Sequence, residues 1–119
     1  MSPTSYKDLI VWQRAIELAQ EVYAVTDNFP REEIYGLTSQ MKRAAVSIAS
    51  NIAEGSRRNS RKEFAKFITH SFGSGAELET QRVIAGRLRF GKEVDFARMD
   101  ALLDEVMRML NGLFSGLRV

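Results

Sequence analysis

Proline occurs only twice in 119 residues, at Pro3 and Pro30. The rest of the chain is therefore open to long helices, whose interiors reject that residue. Apolar residues recur along it at spacings of three and four, the helical period, and nowhere in sustained alternation. The first such segment runs from Lys7 to Thr26. Leu9, Trp12, Ile16, Ala19 and Tyr23 form one seam, and Val11, Ala15, Leu18, Val22 and Val25 form a second beside it. Two adjacent seams make a stripe wider than one partner needs. This helix is expected to bury more than one side, which in so small a chain points to a contact with another subunit.

Three further helices follow. "DNFPREEIYG" breaks the chain at Pro30 and Gly36. A second helix is expected from Thr38 to Glu54, with Thr38 or Ser39 as its N-cap and Gly55 in the place of a C-cap glycine. Ser60 and Glu63 form an S-x-x-E capping box opening a third helix, Ser60 to Arg89, which Gly91 would end. The fourth starts near Asp95, a plausible N-cap, and reaches Leu117; its stripe begins at Met99 and Leu102. Short connections between long helices give an all-α, antiparallel up-down-up-down four-helix bundle in a single domain spanning 1–119.

The second helix is unusual. "AAVSIAS" (44–50) and "SFGSGAE" (71–77) are rich in small residues, which let helix backbones approach closely. Interior glycine costs about 0.5–1 kcal/mol relative to alanine, so Gly73 and Gly75 need a compensating reason, and close packing supplies one. Gln40, Arg43, Ser47, Asn51 and Glu54 share one face of the second helix; Ser74 and Glu77 share one of the third. Such a face can be solvated, or it can be a partly buried hydrogen-bond network that fixes register.

Charge is asymmetric. The net of +2 divides into −3 over residues 1–33, +7 over 34–92 and −2 over 93–119. Arg57, Arg58, Arg61, Lys62 and Lys66 fall within ten residues at the junction of helices two and three. Cations near a helix N-terminus oppose its dipole by about 0.3–1 kcal/mol each, so local physics does not place them there. Phosphate contact is one explanation; a solvated face or intersubunit salt bridges to the acidic ends is the other. The second basic group, Arg82, Arg87, Arg89 and Lys92, suits a helix C-terminus.

Little points to catalysis. There is no cysteine and one histidine, His70. No G-x-S-x-G, phosphate loop or dinucleotide fingerprint occurs, and Glu77 and Glu79 face different ways. No catalytic residue, metal ligand or cofactor is therefore assigned. No segment nears the roughly 18 apolar residues of a membrane span. The lack of cysteine suits a reducing cytoplasm, and no membrane partner is expected.

"LIVWQRAIELAQEVY", "FPREEIYGLTSQMKRAAVSIASNIAEGSRRNSRKEF" and "GSGAELET" resemble the 23S ribosomal RNA intervening-sequence protein family, a bacterial four-helix-bundle family. The resemblance covers Tyr6 to about Gly112. The matched positions include Trp12, Gln40, Arg43, Ser47, Asn51, Glu54, Gly55, Ser74 and Glu77, a signature of fold and assembly. It implies a homopentameric ring. The chain is also similar to the accessory variability determinant of diversity-generating retroelements, a basic pentamer that binds nucleic acid and a reverse transcriptase. The expected function is a non-enzymatic scaffold that contacts RNA or DNA through the basic turn. The alternative is a module that docks a partner enzyme and binds no nucleic acid.

Overall fold

The computed structural model describes residues 5–117; the outermost residues of the expected domain lie outside it. Four helices follow one another: α1 Ile10–Thr26, α2 Leu37–Ser56, α3 Arg61–Arg87 and α4 Glu93–Leu117. Short 3-10 turns at Tyr6–Asp8 and Arg31–Glu33 precede α1 and α2. No strand occurs among the described residues. α1 packs on α2 and α4, and α3 closes the square by packing on the same two. Cross-helix contacts fix the directions. Arg14 meets Glu105 while Arg98 meets Glu21. Ser47 meets Ser74 while Gly55 meets Phe64 and Phe67. Each neighbouring pair is antiparallel, giving a rod 47 Å long and 22 Å across.

The core follows the helical stripes. Val11, Ala15, Leu18, Val22 and Val25, the inner seam of α1, are buried against Met41, Ile48 and Ile52 of α2 and Met99, Val106 and Leu110 of α4. The outer seam of Leu9, Trp12, Ile16 and Ala19 packs on this core only partly, and Tyr23 is exposed. α3 contributes Ile68, Leu78 and Ala85 but also Ser71, Ser74, Gly75 and Gln81. Phe72 and Val83 of α3 and Leu88 at its C-cap are exposed.

The helix ends depart from expectation, each for a local reason. α1 begins at Ile10 because Ser5 caps the Tyr6–Asp8 turn and Leu9 is extended. Neither Thr38 nor Ser39 caps α2. Its N-cap is Gly36, and the Glu33 carboxylate accepts the Leu37 N–H at 3.1 Å, which draws Thr38 into the buried first turn. Gly55 is interior to α2; the cap is Arg57, in helical conformation. What Gly55 provides is proximity: a Cβ there would stand 2.6 Å from Phe67 Cβ and 3.3 Å from the Phe64 carbonyl oxygen. Ser60 does cap α3, its hydroxyl accepting the Glu63 N–H at 3.1 Å. Asp95 lies inside the first turn of α4, where its carboxylate accepts the Lys92 N–H at 3.2 Å.

The end of α3 is a Schellman motif. The Phe90 N–H donates to the Ala85 carbonyl at 3.0 Å and the Arg89 N–H to that of Gly86 at 3.1 Å. Arg89, with φ 59°, holds the left-handed position that glycine usually occupies. Gly91 has no positive φ and instead leaves room for the Phe96 ring, 3.0 Å from where its Cβ would be. The Arg89→Gly substitution is expected to raise stability by about 0.5–1 kcal/mol: relief of roughly 1–2 kcal/mol of left-handed strain, less the greater unfolded-state entropy of glycine. Urea unfolding with unchanged slope and a higher midpoint would register it; an unchanged midpoint would contradict it.

Candidate nucleic-acid interface and polar groove

The α2–α3 contact explains the small residues of α2. Ser71, fully buried, donates its hydroxyl to the Ile48 carbonyl at 2.8 Å, and Ser74 donates to the Ser47 hydroxyl at 2.9 Å. Asn51 donates to both the Ser47 carbonyl and hydroxyl, at 2.9 and 3.0 Å. Part of the polar face of α2 is thus a hydrogen-bond network holding register.

These contacts set a ladder. With Ser47 opposite Ser74 in an antiparallel pair, one turn along places Arg43 opposite Glu77, and the next places Gln40 opposite Gln81. In the other direction Asn51 lies opposite His70. Two adjoining cavities of about 340 and 520 Å³ form the groove above this ladder. The first is lined by Gln40, Arg43, Ala44, Ser47, Ser74, Glu77 and Gln81; Asn51, Phe67 and His70 join in the second. Six of the signature residues therefore share one groove. Of the others, Glu54 is exposed beyond its end, Gly55 is the close approach described above, and Trp12 stands edge-on to Tyr6 at 5.4 Å. The sequence reading did not include Gln81, although it continues the spacing of Ser74 and Glu77.

The basic junction is a second feature. Arg57, Arg58, Arg61, Lys62 and Lys66 are all exposed. None forms an ion pair with a carboxylate among the described residues. Arg57 stands over the Tyr6 ring at 5.4 Å and Arg58 over Phe67 at 4.7 Å, while Arg61 donates to the Gly116 carbonyl. Stacking leaves guanidinium edges free to donate. The sequence carried no sign of Tyr6 or Phe67 as platforms, because the bundle brings Tyr6 to the junction from the other end of α1.

Four arginines elsewhere, Arg14, Arg82, Arg98 and Arg108, are engaged by carboxylates. Arg82 binds Asp100 at 2.9 Å and Glu93 at 2.7 Å, and its guanidinium covers Phe96 at 3.9 Å. Burial opposes that charge, but the bonds it donates to Asp100 and Glu93 outweigh burial and hold its pKa above the ordinary value. Arg14 is raised as well, first by its hydrogen bond to Glu17. On α1 and α4, Arg14 and Arg98 reach Glu17, Glu21 and Glu105. So the acidic ends pair with each other and with Arg82, and leave the junction cations unpaired. His70 is exposed, edge-on to Phe67. Among the described residues no cluster of three His, Asp or Glu could hold a metal, and no helix is long and apolar enough to cross a membrane.

Comparison with known proteins agrees with this architecture. A crystal structure of a protein of unknown function from the S23 ribosomal protein family of Bacteroides thetaiotaomicron superposes with a TM-score of 0.79 at 18% sequence identity. The match covers 88% of this chain and 98% of that one. No curated protein matches. The family model described as 23S rRNA-intervening sequence protein matches residues 7–112, nearly the whole bundle including the groove and the basic junction. The chain belongs to the 23S rRNA-intervening sequence protein family.

Proposed function

We propose that this protein is a non-enzymatic, self-assembling scaffold that contacts RNA or DNA through phosphates at the α2–α3 junction. The observation that carries the reading is the contrast between two sets of cations. Arg14, Arg82 and Arg98 are answered by carboxylates, whereas Arg57, Arg58, Lys62 and Lys66 lie exposed together without one. Arg61 and Lys62 also stand in the first turn of α3, where their charge opposes its dipole, a cost that a bound phosphate would remove. Phosphate contacts of this kind give affinity without reading sequence. Assembly is supported by the half-buried outer seam of α1, which offers an apolar flank to a neighbour, and the family resemblance implies a ring of five. In a ring the junction is repeated on each subunit, and repetition turns weak contacts into avidity.

The test is binding of labelled RNA and duplex DNA across a salt series. Affinity is expected to fall steeply with salt, and each phosphate contact removed to flatten the log–log slope by about 0.9 for duplex DNA. The triple variant R57E/R58E/R61E is expected to lose binding. Because Arg57 and Arg61 also hold Tyr6 and Gly116, K62E/K66E serves as the second variant, with circular dichroism and light scattering to show folding and assembly. No binding at low salt would overturn the reading.

A second reading, docking of a partner enzyme, is favoured by exposed apolar side chains at the opposite end of the bundle. Tyr35 is 96% exposed, and Ile34, Leu88 and Val94 are open beside the α2 start and the α3–α4 connection.

A further inference from the structure

We propose that the pole formed by the α1–α2 and α3–α4 connections docks an acidic, apolar segment of a partner protein. This inference deepens the docking reading above and rests on it; it holds whether or not nucleic acid binds at the other pole.

Three observations lead to it. Phe29 tilts against Phe90 at 5.6 Å, so the two connections meet at one end of the rod. Ile34 and Tyr35 from the first connection, and Leu88 and Val94 beside the second, are each more than half exposed there. Single exposed apolar residues are ordinary, whereas a group of them in one place marks a contact. The same end carries Arg31, Arg87, Arg89 and Lys92, all exposed. None is in an ion pair among the described residues, so of the second basic group only Arg82 is answered by carboxylates. The nearby acids are engaged elsewhere. Glu33 accepts the Leu37 N–H, Asp95 accepts the Lys92 N–H, and Glu93 is held by Arg82. Asp27 and Glu32 remain, exposed and outside those ion pairs, so the unpaired cations outnumber the unpaired carboxylates. The third observation is the backbone of Arg89. With φ 59° it lies in the left-handed region, which penalises any residue with a Cβ and spares glycine. An arginine held at a strained position points to a use for its side chain, and that side chain meets no carboxylate of its own chain among the described residues.

Charge and apolarity together select the occupant. The cations are met best by carboxylates, which arginine binds with paired N–H donors. The apolar side chains are met only by apolar groups set between those carboxylates. A polypeptide segment that mixes Asp or Glu with Leu, Phe or Tyr supplies both. Phosphates would answer the cations but give Ile34, Leu88 and Val94 nothing to pack against. An anionic membrane surface would be opposed by Asp27, Glu32 and Glu93, the last of which stays largely exposed despite its bond to Arg82. Arginine and tyrosine are also the residues most often found to anchor protein contacts. Docking at a pole leaves the long faces of the rod free for assembly.

A random peptide library displayed on phage, selected on the wild-type chain and depleted on R87E/R89E/K92E, tests this. The surviving peptides are expected to combine Asp or Glu with apolar residues. Synthesised and labelled, they are expected to bind the wild type with an affinity that the triple variant lowers at least about tenfold. Arg89→Gly is the sharper variant. It is expected to weaken the peptide severalfold while leaving the chain more stable, so its effect is not a loss of fold. Y35A/V94A tests the apolar half, with circular dichroism to show folding; both residues are exposed. R108E, on the side of α4, controls for overall charge and is expected to leave peptide binding unchanged. Selected peptides that depend on this pole but are not acidic would overturn the proposal and leave the docking reading standing. No pole-dependent peptides at all would overturn both. Peptide binding unmoved by both Arg89→Gly and Y35A/V94A would overturn the proposal as well. So would RNA, or phosphatidylserine vesicles, that bind the wild type and are released by R87E/R89E/K92E, since phosphate or lipid would then be the occupant.

Discussion

Replacing Phe96 with alanine is expected to lower the unfolding free energy by about 3–5 kcal/mol, the largest single-site loss in this chain. Phe96 is fully buried where α4 leaves the α3–α4 connection. Its ring lies 6.2 Å from Phe29, which itself tilts against Phe90 at 5.6 Å. The Arg82 guanidinium covers it at 3.9 Å, and Gly91 is kept bare for it. The connection after α1, the end of α3 and the α3–α4 connection all meet on this one ring, so its removal leaves a cavity that no single movement can fill. Against a total of roughly 5–15 kcal/mol for a domain, such a loss is severe. Denaturant unfolding of Phe96→Ala and Phe96→Leu measures it. A loss below about 1 kcal/mol for alanine would mean that this end of the bundle collapses freely around the gap.

Gly55→Ala is expected to cost about 1–3 kcal/mol, even though alanine is the better helix former. The obstacles at Gly55 are the Phe67 Cβ and the Phe64 backbone carbonyl, neither of which can turn aside without moving α3. Two glycines of α3 give the controls. The obstacle at Gly75 is the flexible end of Met107, and at Gly73 nothing lies within 4 Å. Gly73→Ala is therefore expected to gain about 0.5–1 kcal/mol, with Gly75→Ala between the two. Thermal melts ranked Gly73→Ala, Gly75→Ala, Gly55→Ala from highest to lowest would bear out the argument. Gly55→Ala at or above wild type would show that α2 and α3 are less closely seated than described.

The ranking also shows what the sequence could reveal. Small residues along α2 and α3 announced close packing, and it is there, but not at Gly73, which the same pattern included. Periodicity locates a face to within one residue in four, and Gly73 falls just outside it. The inner seam of α1 was legible because its period is regular and its residues are large. Phe96 and Phe29 were not, because each stands beside a connection, where periodicity has either not begun or has already ended. Caps were legible when the capping side chain lies within the usual four-residue window, as Ser60 does. They failed when the acceptor came from a preceding turn, as Glu33 does for Leu37. Of the two functional features, the basic junction was written in consecutive residues. The groove had only one wall visible, since Gln81 becomes its neighbour through antiparallel pairing.

Tyr6 beneath Arg57 and Gly116 beside Arg61 place both extremities of the described chain at the pole that carries the basic junction. This has a practical consequence for any reporter. A purification tag or fluorescent fusion at either terminus would hang over the surface proposed to meet nucleic acid, and a polyhistidine or acidic linker there would alter the local field. An insertion in the Phe29–Gly36 connection, at the far pole some 47 Å of rod away, would leave it clear.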